Sequence, residues 1–246
     1  MHILLLSLLP AAIAAPLSLP FETYTLDNGL TVILHVDESL PQVVVDTWYD
    51  VGSKDEVAGR TGFAHLFEHL MFMGTERLPG SGFDDLMEQH GGRNNAWTSE
   101  DATNYYDIGP STLLPTLLWM EADRMEGLDT AMTRKKLALQ RDVVRNERRQ
   151  SVEDSPYGIA WEALPPALFP AGHPYAHSVI GTHEDLEAAT VQDVVSFFQT
   201  WYVPNNASLV VAGDFDPAVV KVQIQDLFGP LPKGDPPARV KPAAPD

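Results

Sequence analysis

The chain of 246 residues contains no cysteine. That excludes disulfides, thiolate metal ligands and cysteine nucleophiles together, while leaving the compartment open. Basic residues are also scarce: 16 Lys and Arg against 34 Asp and Glu leave a formal charge of −18. A polyanion of this kind repels phosphate backbones and anionic lipid, so nucleic acid and charged membrane surfaces are set aside as partners. The acidity itself reads first as a solubility device. Beyond the leader, no segment is apolar enough to span a bilayer.

The apolar fraction, 44%, is that of a globular protein, and the length supports a substantial core. The start, "MHILLLSLLPAAIAAP", runs apolar from Ile3 to Leu9 and breaks at Pro10. Ala12-Ile13-Ala14 then form an A-x-A site. Although its n-region lacks Lys and Arg, this resembles a short secretory signal peptide cut after Ala14, and it is too short to span a membrane. The expected organisation is a signal peptide at 1–14, a domain at 15–230 and a Pro-rich linker or tail at 231–246. Export to the periplasm or medium is expected.

Along the domain, "FETYTLDNGLTVILHVD" reads as two strands around an Asp27-Asn28-Gly29 turn, and "PQVVVDTWYDVGS" as a third. A helix around residues 63–73 follows, ended by Gly74, then a shorter one stopped by Gly91-Gly92. "NNAWTSEDATNYYDIGP" reads as strand with one turn. Long helical patterns run from Ser111 to about Glu126 and from Ala131 to about Ser151. A Pro-rich stretch with a short helix comes next. A capping box at Thr190–Asp193 opens another helix, "NASLVVAGD" is a strand, and Asp216-Pro217 starts a last helix. Strands and helices mix without strict alternation and without internal repeats. The class is therefore α+β: a mixed, largely antiparallel sheet with helices packed on one face, a two-layer sandwich.

The first long helix carries "HLFEH". At 100° per residue, His65, Glu68, His69 and Phe72 share one face, while Phe63, Leu66, Phe67, Leu70 and Met71 occupy the other. Histidines one turn apart suit a single metal ion, and a catalytic zinc wants three protein ligands. With no cysteine, the third must be His, Asp or Glu. A candidate lies in "LALQRDVVRNERRQ", where Arg141, Arg145, Arg148 and Arg149 make one basic face and Glu147 points the other way, in line with Val143 and Val144. Geometry alone leaves two readings of Glu147 open: a metal ligand, or half of a helical salt bridge.

His65-x-x-Glu68-His69, followed by Met-Phe-Met-Gly-Thr, resembles the pitrilysin, insulin-degrading enzyme and mitochondrial processing peptidase family, whose motif is the inverted His-x-x-Glu-His. "YTLDNGLTVIL", "VGSKDEVAGRTGFAHLFEHLMFMGT", "GGRNNAWTSEDATNYY", "VVRNERRQSVEDSPYG" and "YVPNNASLVVAGDFD" continue the similarity in order over nearly all of the chain after the leader. The resemblance implies one zinc ion per chain held by His65, His69 and Glu147, with Glu68 as the base that activates water. The 77 residues between His69 and Glu147 make a spacing slightly longer than in several members; the alternative at the shorter spacing, Asn146, is a poor zinc ligand. Asn95 and Ala96 correspond to the strand that receives a peptide by main-chain pairing. The implied function is a zinc endopeptidase acting on peptides or small unfolded proteins. The chain would be one half of a clam shell that needs a homologous C-terminal half or partner subunit. The competing reading is a non-catalytic peptide-binding or assembly subunit, marked by lost site residues, and none is lost here.

Overall fold

A computed structural model describes residues 18–237. The leader and the end of the tail lie outside the described residues. Six strands form one sheet: β1 (Glu22–Thr25), β2 (Thr31–Val36), β3 (Gln42–Tyr49), β4 (Arg93–Thr98), β5 (Thr103–Pro110) and β6 (Ala207–Gly213). Their order across the sheet is β1-β2-β6-β3-β5-β4, with only the β2–β6 pair parallel. Gly29 turns the first hairpin at φ +93°, where a Cβ would also come within 2.6 Å of Asn205 Cβ.

Alternation sorts the sheet's two faces. Val32, Leu34, Val43, Val45, Leu209 and Val211 are buried in the core. There they join residues of α1 (Phe63–Leu70), α3 (Leu114–Ala131), α7 (Val191–Trp201) and α8 (Pro217–Phe228). On the other face Trp48 and Trp97 remain partly exposed and meet edge to face at 5.0 Å between ring centroids. The remaining helices are α2 (Gly82–Gln89), α4 (Arg134–Arg148), α5 (Gly158–Leu168) and α6 (His183–Ala188). The α+β, two-layer architecture agrees with the sequence reading. Among the described residues, no helix is long and apolar enough to cross a membrane.

Several elements differ from expectation, among them α3, which runs to Ala131 rather than to about Glu126. Helix α1 ends at Leu70 rather than near Gly74, because the chain turns through Met71–Thr75 and Gly74 pairs back with Pro79. Helix α4 ends at Arg148 and gives way to a π-helix, Arg149–Glu153. Helix α6 was not anticipated; its cap Thr182 accepts from Asp185 N within a stretch whose glycine and histidines read as loop. Helix α5 carries Pro165 and Pro166 inside it and leaves Tyr157, Trp161, Leu164 and Leu168 exposed.

A charge cluster lies where α3 meets the sheet. Arg124 is fully buried, its Nη1 2.8 Å from Glu121 Oε1, and its guanidinium stacks near the rings of Phe72, Phe83 and Tyr105 at 5.1, 4.8 and 5.3 Å. Burial, with Glu121 close by, pushes the Asp107 carboxyl well above the usual carboxylate range. Removing Arg124 strands Glu121 in the core. Arg124→Ala should therefore lower stability by about 3–5 kcal/mol, measured as a fall in the urea midpoint; an unchanged midpoint would remove the cluster from the account of stability.

Candidate functional site

Helix α1 is eight residues long and amphipathic. Phe63, Leu66, Phe67 and Leu70 are buried, which turns His65, Glu68 and His69 toward the cleft beside β4. Helix α4 packs against α1 and delivers Glu147. Its carboxylate lies between the two imidazoles, with Oε1 3.6 Å from His65 Nε2 and Oε2 3.2 Å from His69 Nε2. The imidazole rings meet edge to face with centroids 4.9 Å apart. Of the two readings open for Glu147, the salt bridge within its own helix is not what the structure shows: Arg145 and Arg148 reach Glu187, Glu153 and Glu162 instead.

The donor set can be tested against zinc. A tetrahedral ion with bonds of about 2.1 Å needs donors about 3.4 Å apart. The two separations given above bracket that edge, and all three donor atoms lie within 4.8 Å of one another. Burial lowers the His65 pKa to about 4, so that imidazole is neutral, as a metal ligand must be. The hydrogen bond with His69 lowers the Glu147 pKa, favouring the carboxylate. The residues fit.

Glu68 stands apart from this trio. Its Oε2 accepts a 2.6 Å hydrogen bond from Thr98 Oγ1 at the end of β4, and burial raises its pKa above the ordinary value. Thr98 did not figure in the sequence reading, although alternation along β4 puts it on the same side as Ala96. Asn95 and Ala96 lie on β4, the edge strand, paired only with Tyr106 and Tyr105 of β5. Asn95 is exposed, and its Oδ1 accepts from Ala96 N at 2.9 Å. The structure thus brings His65, His69, Glu147 and Glu68 together, and puts Asn95 and Ala96 on the strand joined to them through Thr98.

The model of insulinase, peptidase family M16, matches residues 31–183. The chain belongs to peptidase family M16. A second model, the M16 inactive domain, matches residues 188–246, which carry α7, β6 and α8. The zinc protease PqqE of Helicobacter pylori is 34% identical over 212 residues, covering 85% of this chain and 47% of that protein. A crystal structure of a protease from Helicobacter pylori superposes with a TM-score of 0.84 at 32% identity, over 92% of this chain and 54% of that one. The first half of the periplasmic protease PqqL from Escherichia coli gives 0.81 at 27% identity, over 90% of this chain and 48% of that one. The chain spans about half the length of PqqE and of the mitochondrial-processing peptidase subunit beta of Blastocladiella emersonii, and about a quarter of PqqL of Escherichia coli.

A second missed group lies at the start of α1. Its N-cap, Gly62, offers no side chain, and its first turn has no acid. The buried Glu56 carboxylate substitutes, accepting from Gly62 N at 3.0 Å and Ala64 N at 2.8 Å, while His177 Nε2 lies 2.9 Å from Glu56 Oε2. That hydrogen bond raises the His177 pKa above 6.5. Because the folded value exceeds the unfolded one, the stabilisation is fully present below 6.5 and is lost as pH rises through the folded value. His177→Gln should lower the melting temperature by a few degrees in mildly acidic buffer, with the gap narrowing in alkaline buffer. A gap that widens with pH would reverse the assigned sign.

Proposed function

We propose that this chain is the zinc-binding part of an M16 endopeptidase that hydrolyses peptides or small unfolded proteins, with His65, His69 and Glu147 as zinc ligands and Glu68 as general base. The observation that carries the reading is the convergence of two imidazole nitrogens and one carboxylate oxygen within 4.8 Å of one another, with a second carboxylate held beside them. Named M16 relatives are zinc proteases, which supports the same metal. Bound by that triad, zinc supplies Lewis acidity that acidifies water and polarises a peptide carbonyl.

The remaining work falls to the chain's own groups. Thr98 holds Glu68 Oε2, fixing the rotamer, so that Oε1 takes the proton from the attacking water and passes it to the leaving amine. The raised pKa of Glu68 suits both directions of transfer. The open edge of β4 receives the peptide as an added strand. There the incoming backbone replaces Asn95 Oδ1 at Ala96 N, and the freed Asn95 amide turns to the peptide.

A homologous half, on the same polypeptide or a separate subunit, completes the cleft. The chain's share of its relatives' length and the exposed apolar stripe on α5 support this. The Pro-rich residues 231–246 would lead toward it. The periplasmic description of PqqL and the leader support export, with cleavage after Ala14. The match of residues 188–246 to the inactive-domain model favours, as a second reading, a non-catalytic peptide-binding subunit.

The test pairs zinc content with hydrolysis of a quenched fluorescent peptide library. Glu68→Gln should keep one zinc per chain and lose about 10²–10⁴-fold in activity, whereas His65→Ala should lose the zinc. Peptide binding by a wild type that carries zinc yet never cleaves, even with its companion half supplied, would favour the second reading. A wild type without zinc would overturn the site. Separately, the N-terminus of the exported protein should be Ala15; an intact Met1 on protein recovered outside the cytoplasm would overturn the cleavage site.

A further inference from the structure

The three proposed ligands arrive on two separate helices. Nothing covalent fixes α1 against α4, yet the donor atoms must hold their spacing to a few tenths of an ångström. The two helices pack on each other, and one further segment, residues 177–189, bonds to both sides of that contact.

Its first part grips the start of α1. His177 sits on Glu56, the carboxylate that caps α1, and on Ser53 O at 3.1 Å. Asp185 Oδ2 accepts from both Thr61 N at 3.0 Å and Thr61 Oγ1 at 2.6 Å, and Thr182 N donates to the same hydroxyl. Between them the backbones cross. A Cβ on Gly62 would overlap the Ile180 carbonyl oxygen, and one on Gly181 would overlap Thr61 O; both glycines have positive φ, +82° and +69°. The crossing admits no side chain on either strand.

The same segment is held from the other side by the basic face of α4. Arg148, next in sequence to Glu147, donates through Nη1 to Gly181 O at 2.9 Å, with the same Nη1 2.6 Å from Glu162 Oε1 and Nε 3.5 Å from Glu153 Oε1. Arg145 reaches Glu187 Oε2 at 2.8 Å and His183 Nδ1 at 3.3 Å, and Arg141 donates to Glu187 O at 2.7 Å. Three of the four arginines that sequence alone reads as a charged helix face thus reach this segment, Arg141 and Arg145 at Glu187 and Arg148 at Gly181 O. Arg148 is only 8% exposed, so its guanidinium is committed to that contact.

We propose that residues 177–189 form a strap that sets the separation of the two ligand-bearing helices, and that Arg148 and Asp185 are positioning residues for the metal triad. The inference rests on the zinc assignment made above. A bond to Gly181 carries the position of α4 to the backbone crossing at Gly62, two residues before His65 is reached through Phe63 and Ala64. Loosening either end lets Glu147 drift from the imidazoles without removing a ligand.

The test is zinc affinity of the full chain, by competition with a chromophoric chelator, alongside melting of the metal-free protein. Arg148→Met and Asp185→Ala should each weaken zinc about 10–100-fold, a larger loss than either costs the metal-free protein in stability. Asp185→Asn keeps an oxygen acceptor for Thr61 and should recover most of the affinity. The double variant should lose less than the product of the single losses, because both cut one connection. If Arg148→Met does not fold, the Asp185 pair decides alone. Folded variants with wild-type affinity, or affinity losses matched by equal losses of metal-free stability, would overturn the strap while leaving the triad standing. Failure of the wild type to bind zinc, with His65→Ala indistinguishable from it, would overturn both.

Discussion

An isolated helix of two turns is not stable in water, and α1 is that short. Its sequence gives no side chain at the N-cap and no acid in the first turn, so its exposed N–H groups need an acceptor from elsewhere. The buried carboxylate of Glu56 is that acceptor. It satisfies two donors and puts negative charge at the positive end of the helix dipole. Everything the site does depends on this helix staying at one angle, because three of its eight side chains face the cleft.

The opposite face of α1 supplies the rest of the holding force. Phe67 packs with Phe197, Phe198 and Tyr202, and Tyr202 with Tyr49 and Tyr105. These rings join α1 and α7 to β3 and β5 in one aromatic layer. Just past the end of α1, Phe72 lies against both Tyr105 and the Arg124 guanidinium. The buried charge therefore touches the tail of α1 and the strand paired with β4. Core and cleft share their supports, so a packing defect under the sheet displaces the site directly.

Much of this was legible in the residues. The Asn28-Gly29 turn, the β-branched run of β3 and the Thr190–Asp193 capping box each encode their element locally, and each is where the pattern puts it. The two faces of α1 follow from a period of 3.6. Boundaries set by tertiary contact were not legible. Gly74 looks like a helix stop, but the chain leaves the helix earlier to pair with Pro79. Helix α6 carries little apolar periodicity and owes its place to Leu186, its one buried side chain. Of the site, the His-Glu-His face was readable from spacing and Glu147 from family resemblance. Thr98 and His177 were not, since their partners lie 30 and 121 residues away, and Glu56 was not, since it caps α1 from a position six residues before Gly62.

The sheet has a further property that follows from its order. With β4 at one end, its outer row of N–H and C=O groups has no strand beside it among the described residues, and a partly exposed Trp97 stands on it. Such an edge pairs with any extended chain, including a second copy of itself. The large acidic excess then takes on a meaning that composition alone did not give. Two molecules each carrying a formal charge of −18 repel long before their edges can align, whereas a short neutral or basic peptide meets no such barrier. Under the function proposed above, that excess would disfavour acidic chains at the β4 edge relative to neutral or basic ones.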